Sequence, residues 1–220
     1  MRITKIEIQK KTPGRLNVFA DGEFLIGLSK ENLLRAGLRV GDEISRPQVG
    51  DLIAQETLLS AKNAALRLLA VRPRSEKEIV NRLREKEFDK RTISATLGEL
   101  RTAGLVNDAQ FARSFIRNTL ILRPLGELQL RRKLLLLGVP RPVVDHAISE
   151  TLADVDMVDV ARQAAIAYQR RLQHSPAPGD PRKTQNKISA HLARRGYSWS
   201  TIGTVLKSLH FPEGDNANDE

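Results

Sequence analysis

Five apolar residues, Ile79, Leu83, Phe88, Ile93 and Leu97, recur 51 residues later as Leu130, Leu134, Val139, Val144 and Ile148. They recur again, 109 residues from the first set, as Ile188, Leu192, Tyr197, Ile202 and Leu206. Three copies at identical internal spacing constrain the chain to a repeat architecture, and apolar residues at three- and four-residue intervals make that repeat helical. Arg72-Pro73 and Arg123-Pro124 share the 51-residue offset. Each ends one helix before the next begins, because proline disfavours the helical conformation at the residue before it. Each unit therefore reads helix, turn, helix, turn, helix. Units of about 50 residues bury their apolar faces poorly alone and stack on their neighbours. The expected fold is mainly α, with tandem three-helix repeats forming an elongated solenoid that presents a surface rather than a pocket.

The first helices of the three units are expected from Ser60 to Val71, Asp108 to Leu122 and about Asp156 to Gln173. Their buried stripes are Ala61, Ala64, Ala65 and Leu68, then Phe111, Phe115 and Ile116, then Val160, Ala161, Ala164 and Ala165, with Asp108 as the N-cap of the second. Gly138 and Gly196 share one repeat position after the second helix, as helix C-terminal glycines do, whereas the first unit has Glu87 there. The third unit carries an insertion, His174 to Thr184, whose prolines and glycine predict a loop. Residues 1–55 read differently. Ile6 and Ile8, then Leu16, Val18 and Ala20, alternate with polar residues, and Asp21-Gly22 leads into Phe24-Leu25-Ile26 as a hairpin turn would. Ser29 caps a short helix through Ala36 that Gly37 stops, so this segment is expected to be a small β-rich cap. The resulting division is 1–55, then repeats at 56–107, 108–155 and 156–211, then an acidic disordered tail at 212–220.

The formal net charge is +10, typical of chains that meet polyanions, and it is unevenly spread. Residues 56–107 carry 11 basic and 7 acidic residues, 108–156 carry 7 and 6, and 157–211 carry 9 and 2. Lys62, Arg113 and Arg162 fall at matching places on the three first helices, and Arg113 and Arg117 lie four residues apart on one face. A repeated cation of this kind forms either a binding stripe or an ordinary solvated face. In the central unit Leu135 and Leu136 stand where the first unit has Arg84 and Glu85, so they point away from their own core. They are either buried against a neighbouring unit or part of a partner-binding patch. With Arg72, Arg132, Arg194 and Arg195, these residues are the candidate contacts for a partner or DNA.

Catalytic chemistry is not expected. Without cysteine there is no disulfide scaffold, thiolate zinc site or cysteine nucleophile. No phosphate-binding glycine loop, dinucleotide fingerprint or His-Glu-x-x-His motif occurs, and no cofactor or metal is expected. His146, His174, His191 and His210 lie on different elements without ligand spacing, and Glu76 and Glu78 read as partners of a helix dipole. Aromatics are 4% of the chain, which does not support an extensive base-stacking platform. The first fifteen residues carry Arg2, Lys5, Glu7, Lys10, Lys11 and Arg15, and no apolar run approaches the ~18 residues of a membrane span. The chain is expected to be cytoplasmic, neither exported nor membrane-spanning.

The run Asp108-x-x-Phe111-Ala112-Arg113-x-Phe115-Ile116, then Gly126, then Leu130-x-x-x-Leu134-x-x-x-Gly138-Val139, then Val144 and Ile148, resembles the RecX regulatory protein family. Gly104-Leu105-Val106-Asn107-Asp108 is similar to the family's junction between its first and second units, and Arg74-Ser75-x-x-Glu78-Ile79-x-x-x-Leu83 to the start of its second helix. The likeness covers about residues 58–210, strongest in the first two units, and the β-rich start resembles an extension some members carry. Leu125-Gly126-Glu127-Leu128-Gln129 departs from it in lacking a basic residue after the glycine. The resemblance implies a bacterial regulator, expected to be a monomer, that lies in the groove of the RecA recombinase filament on DNA. It implies inhibition of ATPase, strand exchange and coprotease activities, and hence a place in homologous recombination, DNA repair and the SOS response. The other reading of the residues is a direct DNA-binding protein of the helix-turn-helix kind, against which the third helices carry few base readers.

Overall fold

The computed structural model describes residues 1–10, 12, 14–173 and 180–209. The chain divides into two compact units, residues 1–74 with 79–105, and residues 75–78 with those from 106 onward. The 212–220 tail and most of the 174–184 insertion lie outside the described residues.

The first unit opens with an antiparallel sheet in the order β1 (Ile3–Ile8), β2 (Arg15–Ala20), β3 (Glu23–Ser29). The Asp21-Gly22 turn joins β2 to β3 with positive φ at both residues, as the hairpin reading requires. Alternation puts Val18, Ile26 and Leu28 on one face, where they bury against Ile3, Ile44 and Leu52. Ser29 caps α1 (Lys30–Ala36) by accepting from the Asn32 N–H, and Gly37 ends it in the left-handed conformation.

The next helix, α2, runs from Arg46 to Val71, not from Ser60. Ser45 accepts from the Gln48 N–H while the Gln48 side chain accepts from the Ser45 N–H, and a proline lies in the first turn. That reciprocal cap starts the helix fourteen residues before the apolar repeat pattern does. Residue 55, the expected end of the cap, is mid-helix. Its early turns serve the sheet through Leu52, and its later turns bury Ala61, Ala64 and Ala65. Between them lies Glu56. It accepts from the Ser29 N–H at 2.9 Å, the Ser29 hydroxyl at 3.0 Å and the Asn32 amide at 2.8 Å, and Arg15 pairs with its other oxygen at 2.9 Å. Burial pushes this carboxyl up, but those donors together outweigh it and hold it below the usual carboxylate range. The helices α3 (Glu76–Arg84) and α4 (Lys90–Thr102) follow, the latter capped by Asp89.

The second unit contains two full three-helix repeats, α5 (Asp108–Leu122), α6 (Glu127–Leu136) and α7 (Arg141–Leu152), then α8 (Met157–Gln173), α9 (Pro181–Arg194) and α10 (Trp199–Ser208). The cap of α5 is Asn107, which accepts from the Gln110 N–H, rather than Asp108. Asp108 is left to accept from the Glu76 N–H at 2.9 Å. Residues 181–184, expected in the loop, are helical, because Asp180 caps a helix whose first turn contains Pro181. Of the fifteen recurring apolar positions all are buried except Phe88 and Leu206, which are half-buried. The shared turn position is left-handed in every copy, with φ of 65° at Glu87, 82° at Gly138 and 83° at Gly196.

Gly126 and Gly196 meet backbone to backbone. The Gly126 N–H donates to the Arg195 carbonyl at 2.9 Å and the Leu128 N–H to the Gly196 carbonyl at 3.2 Å. A Cβ on Gly126 would collide with the Gly196 carbonyl and the Tyr197 amide nitrogen. Gly98, on α4, has open space at the same position. Gly126→Ala is therefore expected to destabilise the chain by about 1–3 kcal/mol, through overpacking alone since its φ is ordinary. Gly98→Ala is expected to stabilise it by about 0.5–1 kcal/mol. Denaturant unfolding of the two variants checks both signs.

Candidate partner-binding surfaces

The matched cations of the first helices turn out to be braces. Lys62 on α2 pairs with Glu99 on α4 at 2.7 Å, and Arg113 on α5 pairs with Glu150 on α7 at 3.2 Å. Each pair spans 37 residues and joins the first helix of a repeat to its third. The residue 109 positions after Glu99 is Ser208, and Arg162 reaches its hydroxyl at 3.4 Å while pairing with Asp159 at 3.1 Å. Arg113 and Arg117 are thus not equivalent. Arg113 is half-buried against its carboxylate, whereas Arg117 is exposed and has no ion pair among the described residues. Arg72 follows α2 as its C-cap, exposed, with a guanidinium hydrogen bond to the Pro73 carbonyl.

Three of the expected contact residues do come together. Arg132, Leu135 and Leu136 share a shallow open groove on α6 with Leu128 and Arg131. Leu136 is 76% exposed and Leu128 62%, and Leu135 is exposed too, so none of the three is taken up by packing within its unit. Arg131 is held by Glu127 at 2.8 Å and by Asp145, which leaves Arg132 as the groove's unpaired cation. The three leucines thus form one contiguous apolar patch rather than singly scattered apolar residues. Leu128 was legible as part of this face from its spacing, i to i+7 and i+8, but the repeat comparison alone does not single it out. Val71, Ile121 and Leu122 were also missed. All three are more than three-quarters exposed, at the ends of first helices just before Arg72 and Arg123.

Arg194 and Arg195 end α9 in a different setting. Their carbonyls receive Gln129 Nε2 and the Gly126 N–H, and the Arg195 guanidinium donates to the Pro124 carbonyl at 2.9 Å. One turn earlier His191 stacks on Tyr168 of α8, ring centroids 3.9 Å apart and planes 6° from parallel, with Arg171 over the same tyrosine at 5.8 Å. Burial, then the charges of Arg195, Arg194 and Arg171, push the imidazole down to about 4.

Family models match three stretches of the chain: the Regulatory protein RecX N-terminal domain over residues 1–45, the first three-helix domain of RecX over 61–100, and the third over 158–206. A regulatory protein RecX of Clostridioides difficile is 31% identical over 97% of this chain and 98% of its own length. The chain belongs to the RecX family. Another relative of that name, from Levilactobacillus brevis, is 32% identical over 94% of this chain and 76% of its own. A crystal structure of a regulatory protein RecX superposes with a TM-score of 0.71 at 25% identity, covering 94% of this chain and 99% of that one. The RecX from Lactobacillus salivarius superposes with a TM-score of 0.61 at 25% identity, over 70% and 97%.

Most residues that carry the RecX resemblance are core. Phe111, Ala112, Ile116, Leu130, Leu134, Val139, Val144 and Ile148 form one buried cluster. The resemblance therefore identifies the RecX scaffold more than it identifies a contact surface. Among the described residues no helix is long and apolar enough to cross a membrane.

The setting of His191 has a measurable consequence. Its folded-state value of about 4 lies below the ordinary 6.5, so the unfolded chain binds the extra proton as pH falls. The penalty begins below pH 6.5 and is complete below about 4, so this histidine makes the fold less stable across that window. An NMR titration of the imidazole is expected to show a midpoint near 4, and His191→Gln to flatten the loss of stability between pH 6.5 and 4.

Proposed function

We propose that this RecX protein regulates the RecA recombinase by lying in the groove of its filament on DNA. There it inhibits ATPase, strand exchange and coprotease activity, and so acts in homologous recombination, DNA repair and the SOS response in the cytoplasm. It acts as a monomer and without catalysis of its own. The observation that carries the reading is the α6 face, where Leu128, Leu135 and Leu136 stand in solvent beside the unpaired Arg132. An exposed apolar patch with a polar rim is the usual sign of a protein-binding surface. The relatives are named regulatory proteins, and a blocking role needs a surface rather than a catalytic pocket. Repeats that each make a weak contact gain affinity by linkage, which suits a filament of identical subunits.

Recombinase ATPase on single-stranded DNA is expected to fall when the protein is added below one copy per recombinase subunit. An unchanged rate at saturating protein would overturn the reading. Leu135→Ser with Leu136→Ser is expected to weaken inhibition at least about tenfold with melting temperature held, since exposed substitutions shift stability by only about ±0.5 kcal/mol. If the double variant unfolds instead, the leucines are structural. Arg117→Glu is expected to weaken inhibition and leave the fold intact, whereas Arg113→Glu is expected to lower stability because it sets a carboxylate against Glu150.

A further inference from the structure

Several cations on the helices of this chain are held by acids on or next to the same or a neighbouring helix. Lys62, Arg82, Arg113, Arg131 and Arg162 each have a carboxylate partner. Helix α9 breaks that habit. From Pro181 to Arg195 the sequence contains Arg182, Lys183, Lys187, Arg194 and Arg195 and no acid at all, whereas the corresponding second helices α3 and α6 begin with Glu76, Glu78 and Glu127. Lys183, Lys187 and Arg194 are exposed and have no ion pair among the described residues. They stand at i, i+4 and i+11 on the face away from buried Ile188 and Leu192, with half-buried His191 at i+8 on the flank that meets Tyr168 of α8. At a rise of about 1.5 Å per residue the charges run along about 16 Å of surface. Arg171, at the end of α8, adds a further unpaired cation beside His191. Like charges kept together without counter-charges repel one another, and a bound polyanion is what relieves that repulsion.

A second observation comes from α10. Trp199, the chain's single tryptophan, is its first residue and is 74% exposed, four residues past the C-cap of α9. Trp199 is not part of the core of its own repeat, which includes Tyr197, Ile202 and Val205. An exposed indole at the end of a cationic track suits an unstacked base, since every base has a face on which an aromatic ring can stack.

We infer that α9 and Trp199 form a binding site for single-stranded DNA, with Lys183, Lys187 and Arg194 along the phosphate backbone and Trp199 stacked on one base. Beside this stripe the His191 imidazole is held down first by burial and then by the charges of Arg195, Arg194 and Arg171. A duplex can satisfy the cations but offers no free base face to the indole, which gives the site its preference for single strands. The site does not depend on docking to the recombinase, so either reading can fail alone.

The test uses the full chain and oligodeoxythymidylate without recombinase. Because Trp199 is the sole tryptophan, its fluorescence reports on this site directly. Binding of the oligonucleotide is expected to quench it, and a duplex of equal charge is not. Lys187→Glu and Arg194→Glu are each expected to weaken oligonucleotide binding about fivefold or more and to lower the log–log salt slope by at least about 0.7. Arg39→Glu, an equal charge change on the exposed surface of the first unit, is expected to stay within about twofold. Trp199→Ala is expected to cost about fivefold or more for the single strand, measured by anisotropy of a labelled oligonucleotide, and nothing for the duplex. Absent quenching, equal quenching by the duplex, or α9 variants that bind like Arg39→Glu would each overturn the assignment. If the α9 variants keep the oligonucleotide but lose recombinase inhibition, the stripe faces an acidic protein surface and the assignment is wrong.

Discussion

The arrangement of the second unit rests on a junction between two backbones. At its start α6 has Gly126 as a cap without a side chain to satisfy the first N–H groups, and α9 ends in carbonyls that its own helix cannot use. The two deficits cancel. The Gly126 and Leu128 N–H groups take the Arg195 and Gly196 carbonyls, and the Gln129 side chain takes that of Arg194. Helix dipoles meet there with opposite ends together, and the approach is close enough to require glycine on both sides. A related contact recurs at residues 75–78, where the Ser75 hydroxyl donates to the Leu137 carbonyl at 2.5 Å and Lys77 lies against Gly138. Helix α6 is therefore held at both ends, which leaves its outer face free of structural duties.

That division separates the cations into two populations. Lys62 and Arg113, on first helices, are spent on bracing their repeats across to the third helix, while Lys183, Lys187 and Arg194, on the second helix of the last repeat, have no ion pair among the described residues. The apolar counterpart is α6, which exposes Leu136 where α9 has Arg194, with exposed Leu128 and Leu135 on the same helix. Two repeats of one architecture thus expose two different chemistries from equivalent helices.

The core was legible in the sequence because burial has a period, and the repeat offset amplified it. The offset even reached the backbone, since Glu87 adopts the left-handed conformation that its glycine equivalents adopt. Caps were harder. Asn107 and Asp108 are adjacent residues of the same capping type, and only the geometry shows which one reaches back to Gln110. The Ser45-x-x-Gln48 box was overlooked because no apolar repeat begins there, and Pro181 looked like a breaker although proline is welcome in a first turn. Of the candidate site, the exposure of Leu135 and Leu136 followed from comparing units. The braces did not follow, although Glu99 and Glu150 repeat at the same 51-residue offset as Lys62 and Arg113, because a shared offset does not reveal which faces meet.

The continuity of α2 bears on how the first unit can be dissected. One helix carries Leu52 into the sheet's core, Glu56 into the polar knot with Ser29, Asn32 and Arg15, and Ala61, Ala64 and Ala65 into the repeat. Sheet and repeat thereby share a rigid rod, and fraying of one end removes support from the other. A truncation placed at residue 55 would cut that rod, discard its capping box and strand Glu56 without its partners. One placed before Ser45 would keep the rod whole but bare Leu52 to water. The amino-terminal sheet is in this sense not a detachable accessory but one end of a lever that the first repeat holds by the other.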